Sequence, residues 1–209
     1  AIMLGGSGDL YHSALATEFA FERLIGVRTT AVPSMALGLF RARSLTSRSV
    51  VIQMSFSGKT ARAVEAASLA RAAGARVWAL THDAASPLAQ IGELCFVKPE
   101  TGKNEAAGYP VTMLMLYLIA VKVAELRGCL SRAGASALRD QLAGGGRFVE
   151  QFCRHIRVTC VEGLDQLFQQ FLGRGRSRLG AVSAPCEAED QHRHHQGATH
   201  SDYEPYPMS

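Results

Sequence analysis

From Ala1 to about Leu126, short apolar runs alternate with segments of helical spacing, joined by brief loops. Strand-like runs fall at Ala1 to Leu4, Thr29 to Val32, Ser49 to Met54, Arg76 to Thr81 and Leu94 to Val97. Between them, Leu10 to Ile25 and Thr60 to Ala73 repeat apolar or small residues at helical spacing and stop at Gly26 and Gly74. A short helix is expected near Pro87 to Ile91, and a longer one from Pro110 to Leu126. Strands linked through helices across such short loops must lie parallel, because parallel neighbours need a crossover. This pattern predicts a doubly wound α/β sheet covered by helices on both faces.

Past Ser131 the alternation fails. Ala135 to Leu142 and Phe148 to Arg154 read as helical, separated by Gly144, Gly145 and Gly146. Each glycine would cost an uninterrupted helix about 1 kcal/mol. Phe168 to Leu172, followed by Gly173-Arg174-Gly175, resembles a strand entering a glycine turn, but no helix pattern follows. Gln191 to Ser209 is polar, rich in His and Pro, and is expected to be disordered. The chain therefore divides into an expected domain at 1–130, a helical linker at 131–167, and an incomplete second unit with its tail at 168–209. Ala1 already lies inside a strand pattern, so a cropped N-terminus is expected.

Composition narrows the function classes. The chain has 209 residues and a formal charge of +4, with its arginines scattered, which argues against a nucleic-acid footprint. The apolar stretch Val111 to Val121 is about half of a membrane span. The five cysteines (Cys95, Cys129, Cys153, Cys160 and Cys186) are odd in number and lack a C-x-x-C pair, so neither a disulfide framework nor a structural zinc site is implied. The tail histidines His192, His194, His195 and His200 have no fold-fixed carboxylates to complete a metal site. The chain is read as cytoplasmic, since no secretory leader pattern opens it.

Chemistry concentrates in Ser55-Phe56-Ser57-Gly58-Lys59-Thr60, where a buried strand empties into a helix start. Ligands of doubly wound sheets sit beyond the carboxyl ends of strands. A helix N-terminus there offers unpaired N–H groups and partial positive charge to an anion. Ser55, Ser57 and Thr60 add hydroxyls, Gly58 permits close backbone approach, and Lys59 adds charge. The competing reading is that Ser57 or Thr60 only caps the helix. The first loop, Gly6-Ser7-Gly8-Asp9-Leu10-Tyr11-His12, fails the dinucleotide pattern because Tyr11 replaces the third glycine. Gly58-Lys59-Thr60 likewise fails the P-loop pattern, because Gln53 stands where its first glycine belongs. No cofactor is expected. His12 and His82 are read as packing residues.

Together the two loops resemble the sugar isomerase (SIS) domain family. Its first loop, Gly-x-Gly-Thr-Ser, is matched by Gly6-Ser7-Gly8-Asp9-Leu10, and its second, Ser-x-Ser-Gly-x-Thr, by Ser55 to Thr60. Gly74 to Thr81 and Ser86-Pro87-Leu88-Ala89 extend the resemblance, which covers about Ile2 to Leu126. It implies a five-stranded, flavodoxin-like parallel sheet that binds a sugar phosphate, of the aldose–ketose isomerase or deglycase type. By the same resemblance Ser55, Ser57 and Thr60 would hold the phosphate, with Gly8, Asp9, Gly58 and Lys59 beside it. Asp9-Leu10 departs from the family's Thr-Ser, removing two hydroxyls and placing a carboxylate near the anion.

In isomerising relatives a glutamate after the fifth strand moves a proton between sugar C1 and C2. Glu105 falls at that point, with Glu100 as its rival and a solvated loop glutamate as the alternative. A non-catalytic sugar-phosphate sensor is the second functional reading. Val111, Met113, Leu114, Met115, Leu116, Leu118, Ile119 and Val121 cannot all face one sheet. That circumference, and the pairing of domains typical of the family, predict a homodimer.

Overall fold

The computed structural model describes residues 1–98 and 108–144. Five strands, β1 (Ile2–Gly6), β2 (Thr29–Pro33), β3 (Val50–Met54), β4 (Arg76–Thr81) and β5 (Leu94–Val97), form one sheet in the order β2-β1-β3-β4-β5. Every pairing is parallel. The doubly wound fold expected from the alternation is therefore the observed one, in the flavodoxin-like order.

Six helices accompany the sheet: α1 (Asp9–Ile25), α2 (Ser34–Ala36), α3 (Ala61–Ala72), α4 (Pro87–Ile91), α5 (Gly108–Leu126) and α6 (Arg132–Gly144). The outward alternate residues of the strands build two cores. On one face Leu4, Ile52, Leu80 and Phe96 pack with α1 and α5 through Phe21, Leu116 and Ile119. On the other, Val51, Val77 and Ala79 meet Ala66, Ala67 and Ala70 of α3 with Leu88 of α4. Alanines on the buried stripe of α3 let that helix lie close against the sheet.

Local signals behave as their chemistry dictates. Gly26 ends α1 at φ 68°, its N–H donating to Glu22 O at 2.9 Å. Ser86 caps α4, accepting from Ala89 N, with Pro87 in the first turn. The outer edge of β2 is closed from α1: Thr29 N donates to Glu22 Oε1 at 2.9 Å and Ala31 N to Glu18 Oε2 at 2.7 Å. Two carboxylates thus occupy backbone donors that an edge strand would otherwise present to another chain.

Three features differ from the sequence reading. β1 runs on to Gly6, two residues into the expected glycine turn, because Gly5 and Gly6 continue the parallel register with Val32 and Pro33. After β2 the chain forms α2, a π turn at Leu37–Arg41 and a 3₁₀ turn at Ala42–Ser44, none of which was anticipated. Helix α5 is 19 residues long, enough by length and composition to cross a membrane, yet half of that span is buried inside the fold.

Helix α5 is also better covered than its apolar circumference led one to expect. Helix α1, the sheet and α6 wrap it, and of its large apolar side chains only Leu126 is exposed. Glu125 fastens α6 to it by an ion pair with Arg139 at 2.9 Å and shares Lys122 at 3.4 Å. The expected helix at Phe148 to Arg154, the linker beyond α6, the second unit and the tail lie outside the described residues. Ile119 is fully buried between α1, α5 and the sheet. Ile119→Ala is expected to cost about 2–5 kcal/mol of stability, read as a lowered urea midpoint with an unchanged slope.

Candidate functional site

In the order β2-β1-β3-β4-β5 the crossovers leave β1 and β3 in opposite directions, so their carboxyl ends diverge and open a crevice. A cleft of about 350 Å³ lies there. The loop after β1 contributes Ser7, Asp9 and Leu10, and the end of β3 and its loop contribute Met54, Ser55, Phe56 and Thr60. Ala63 of α3, Lys98 after β5, and Gly108 and Tyr109 at the start of α5 complete the wall. The two loops singled out in the sequence thus meet in one cavity.

The β3–α3 loop is held by its own hydroxyls. Ser55 Oγ donates to Thr60 Oγ1 at 3.0 Å and accepts from Gly58 N at 3.1 Å. Ser57 Oγ accepts from Lys59 N at 3.2 Å. Thr60 occupies the N-cap of α3 but makes no side-chain cap bond. Its hydroxyl is therefore not consumed by capping, and the Ala61 and Arg62 N–H groups of the first turn lack intrahelical acceptors.

Gly58 is required twice over. Its φ is 65°, and a Cβ there would run into the Ser86 side chain and come within 2.8 Å of Thr81 Oγ1. Its carbonyl accepts from Leu88 N at 3.1 Å, so the loop is seated directly on the start of α4. Lys59, by contrast, reaches outward to Asp83 at 3.4 Å and is largely exposed.

In the first loop, Gly8 precedes α1 with φ 56°, and Asp9 opens the helix, where its negative charge suits the positive end of the helix dipole. His12 is exposed and not packed as expected; its Nδ1 donates to Gly8 O at 3.0 Å across the first turn of α1. Glu100 and Glu105 lie outside the described residues. The segment that carries them joins Lys98 to Gly108, both of which line the cleft.

The sequence reading did not single out Lys98 or Ser7. Lys98 is only 2% exposed. Its Nζ donates to Gly108 O at 2.8 Å and Thr112 Oγ1 at 2.9 Å, and it stands 5.5 Å from the centre of the Phe56 ring. Burial lowers its pKa to about 8. The available signal was position alone: a lysine directly after the fifth strand, at the sheet's ligand-facing edge.

His82, after β4, stacks on Phe56 with ring centres 3.9 Å apart, and both of its ring nitrogens are buried without a partner. Burial, reinforced by the Lys98 charge, lowers its pKa to about 4.

Residues 1–122, more than half of the chain, match the SIS domain family, and the chain belongs to that family. It is 24% identical over 174 residues to a glutamine–fructose-6-phosphate aminotransferase of Clostridium perfringens, covering 80% of this chain and 28% of the relative. It is 33% identical over 103 residues to the HTH-type transcriptional regulator RpiR of Escherichia coli, covering 46% of this chain and 35% of the relative. The chain thus spans about a third of the length of these curated relatives. Among solved structures, the Vibrio vulnificus NanR protein complexed with ManNAc-6P superposes with a TM-score of 0.52 at 21% identity. That likeness covers 68% of this chain and 54% of the other, and it is one of fold.

Two outcomes follow from this geometry. Gly58→Ala should destabilise the protein by about 1–3 kcal/mol from backbone strain alone, with the Ser86 clash added, as read from denaturant unfolding. His82, folded, binds its proton only near pH 4, whereas unfolded it does so near 6.5. The unfolded state therefore takes up more protons between those values, and stability should fall by about 1–3 kcal/mol as pH drops through that window. His82→Phe keeps the stacked ring and removes both unpartnered nitrogens. It should flatten this pH dependence without loss of stability at pH 7. A steeper acid loss in that variant would contradict the assignment.

Proposed function

We propose that this chain binds a phosphosugar in the cleft between the β1 and β3 loops, in the manner of the aldose–ketose isomerases and deglycases of its family. The observation that carries this reading is the convergence of Ser7, Ser55 and Thr60 on one cleft at the N-terminus of α3. Hydroxyl donors, open N–H groups and the helix dipole suit a phosphate at that point. Ser55, Ser57 and Thr60 hold the phosphate, with Gly58 and Lys59 shaping and charging the loop and Gly8 giving backbone access. Asp9, on the same cleft wall, takes a sugar hydroxyl or amine. Glu105 carries a proton between sugar carbons. The position of its segment, between two cleft residues, supports that role.

The likeness to RpiR, the highest identity among the relatives named above, favours a second reading in which the cleft senses a sugar phosphate without turning it over. Substituting Glu105→Gln separates the two. An enzyme loses turnover and keeps binding, whereas a sensor shows no turnover to lose.

The binding test is thermal unfolding with fructose 6-phosphate, glucosamine 6-phosphate and arabinose 5-phosphate, each against its unphosphorylated sugar. A raised Tm with a phosphorylated member alone, abolished in the Ser55→Ala/Thr60→Val double variant, is expected. No shift with any member at millimolar concentration would overturn the reading. Homodimerisation belongs to the same proposal. Exposed Leu15 and Phe19 on one face of α1, and Leu39 and Phe40 on the π turn, are apolar surfaces available to a second copy. Light scattering should give twice the mass of one chain, and a monomer at tens of micromolar would refute it.

A further inference from the structure

Among the described residues, the cleft wall contains a buried lysine with no counter-ion. Lys98 Nζ is buried, and both of its hydrogen-bond acceptors, Gly108 O and Thr112 Oγ1, are neutral. Among the described residues no carboxylate lies within ion-pair distance of it. An ammonium has three donors, so one N–H remains beyond these two bonds. Removing such a charge from water is costly unless an opposite charge meets it.

Neither acceptor needs the lysine. Thr112 Oγ1 itself donates to Gly108 O at 2.8 Å, closing the first turn of α5 without help. A purely structural staple would be an expensive way to satisfy groups that already satisfy each other. Lys98 lines the same cleft as Ser55 and Thr60.

We propose that Lys98 is the ligand's counter-ion, its free N–H donating to a phosphoryl oxygen of the sugar phosphate opposite the Ser55–Thr60 loop. The inference rests on the phosphosugar reading and deepens it by supplying the one buried cation of the described cleft. Lys59, exposed and paired with Asp83, is not needed in that role. The cleft's neutral hydroxyls then orient the phosphate while Lys98 offsets one of its charges.

Among the described residues, the other titratable groups of this region are Asp9 on α1, His82 after β4 and Tyr109 on α5. His82 is neutral above pH 6 and contributes no charge change in the alkaline range. In the free protein the Lys98 ammonium titrates near pH 8. A bound dianion favours the protonated form. Affinity should therefore be level below pH 8 and decline above it, by up to about tenfold per pH unit.

The test measures binding of the sugar phosphates named above, and of inorganic phosphate, by calorimetry on the full chain between pH 6.5 and 9.5. Lys98→Met is expected to fold with undiminished stability, to bind about ten- to hundredfold more weakly, and to lose the alkaline decline. Lys98→Gln serves as a second uncharged variant, and Tyr109→Phe should retain the decline seen in the parent. If the parent binds and Lys98→Met binds within twofold of it, or with the same pH profile, the counter-ion role is wrong while the phosphosugar reading stands. If the parent binds no phosphorylated probe, the phosphosugar reading itself fails. If both uncharged variants unfold while the parent shows no decline above pH 8, Lys98 is a structural staple and the proposal is overturned.

Discussion

The parallel pairing of β1 with both β2 and β3 is the constraint from which the rest of this molecule follows. β1 sits between them in register, Ile2 opposite Thr29 on one side and Val50 on the other. One connection must then leave over one face and the next over the other, because both crossovers keep the same hand. Helix α1 goes to one layer and α3 to the other, and the loops preceding them part at the carboxyl edge. The crevice is thus a consequence of strand order, and Ser7, Asp9, Ser55 and Thr60 face it because they are the first residues past that edge.

Topology supplies the opening, and local chemistry decides what can occupy it. Three polar devices meet there, each with a different range. Hydroxyl and N–H donors of the β3–α3 loop act over hydrogen-bond distances, and their mutual bonds hold them in place before any ligand arrives. The dipole of α3 acts within its first turn. A buried ammonium at Lys98 acts more strongly than a surface lysine, because low-dielectric surroundings screen it less. Asp9 opposes these with a negative charge on the same wall. In the proposed role such a cleft selects its ligand by charge distribution as well as by shape.

The sheet was legible because its strands are short, β-branched and separated by glycine, proline and serine punctuation. Val50, Val51 and Ile52 announce β3, and Gly26 and Gly74 mark helix ends through the backbone freedom they alone supply. The Ser34–Ser44 stretch was opaque for the opposite reason. Met35, Leu37 and Leu39 alternate as in a strand and Phe40 breaks the alternation, yet the chain resolves the stretch into α2 and a π turn, with Leu37 buried and Leu39 and Phe40 exposed. Spacing also underestimated the cover over α5. Its apolar circumference signals burial, but whether the cover comes from α1, α6 or another molecule depends on tertiary packing. Lys98 escaped because a single lysine after a strand is ordinarily a solvated end. Only the packing of α5's first turn over it turns that residue into a buried charge.

Unfavourable local terms in this fold are not spread evenly. Among the described residues, the unpartnered nitrogens of His82 and the unpaired charge of Lys98 lie at the carboxyl edge of β4 and β5, beside Gly58, whose positive φ would strain any other residue. Phe56 links the first two, stacked on His82 and facing the Lys98 ammonium. The sheet interior carries matched apolar layers on both faces, anchored by fully buried Leu4, Ile52 and Leu80 on one and Val51, Ala79 and Leu88 on the other. A fold under selection for stability alone would have little reason to concentrate a buried cation and an orphaned imidazole at one edge. Lys98 lines the cleft that the strand order creates, while His82 and Gly58 back its lining residues Phe56 and Ser55, a concentration that supports the proposed placing of the site at this edge.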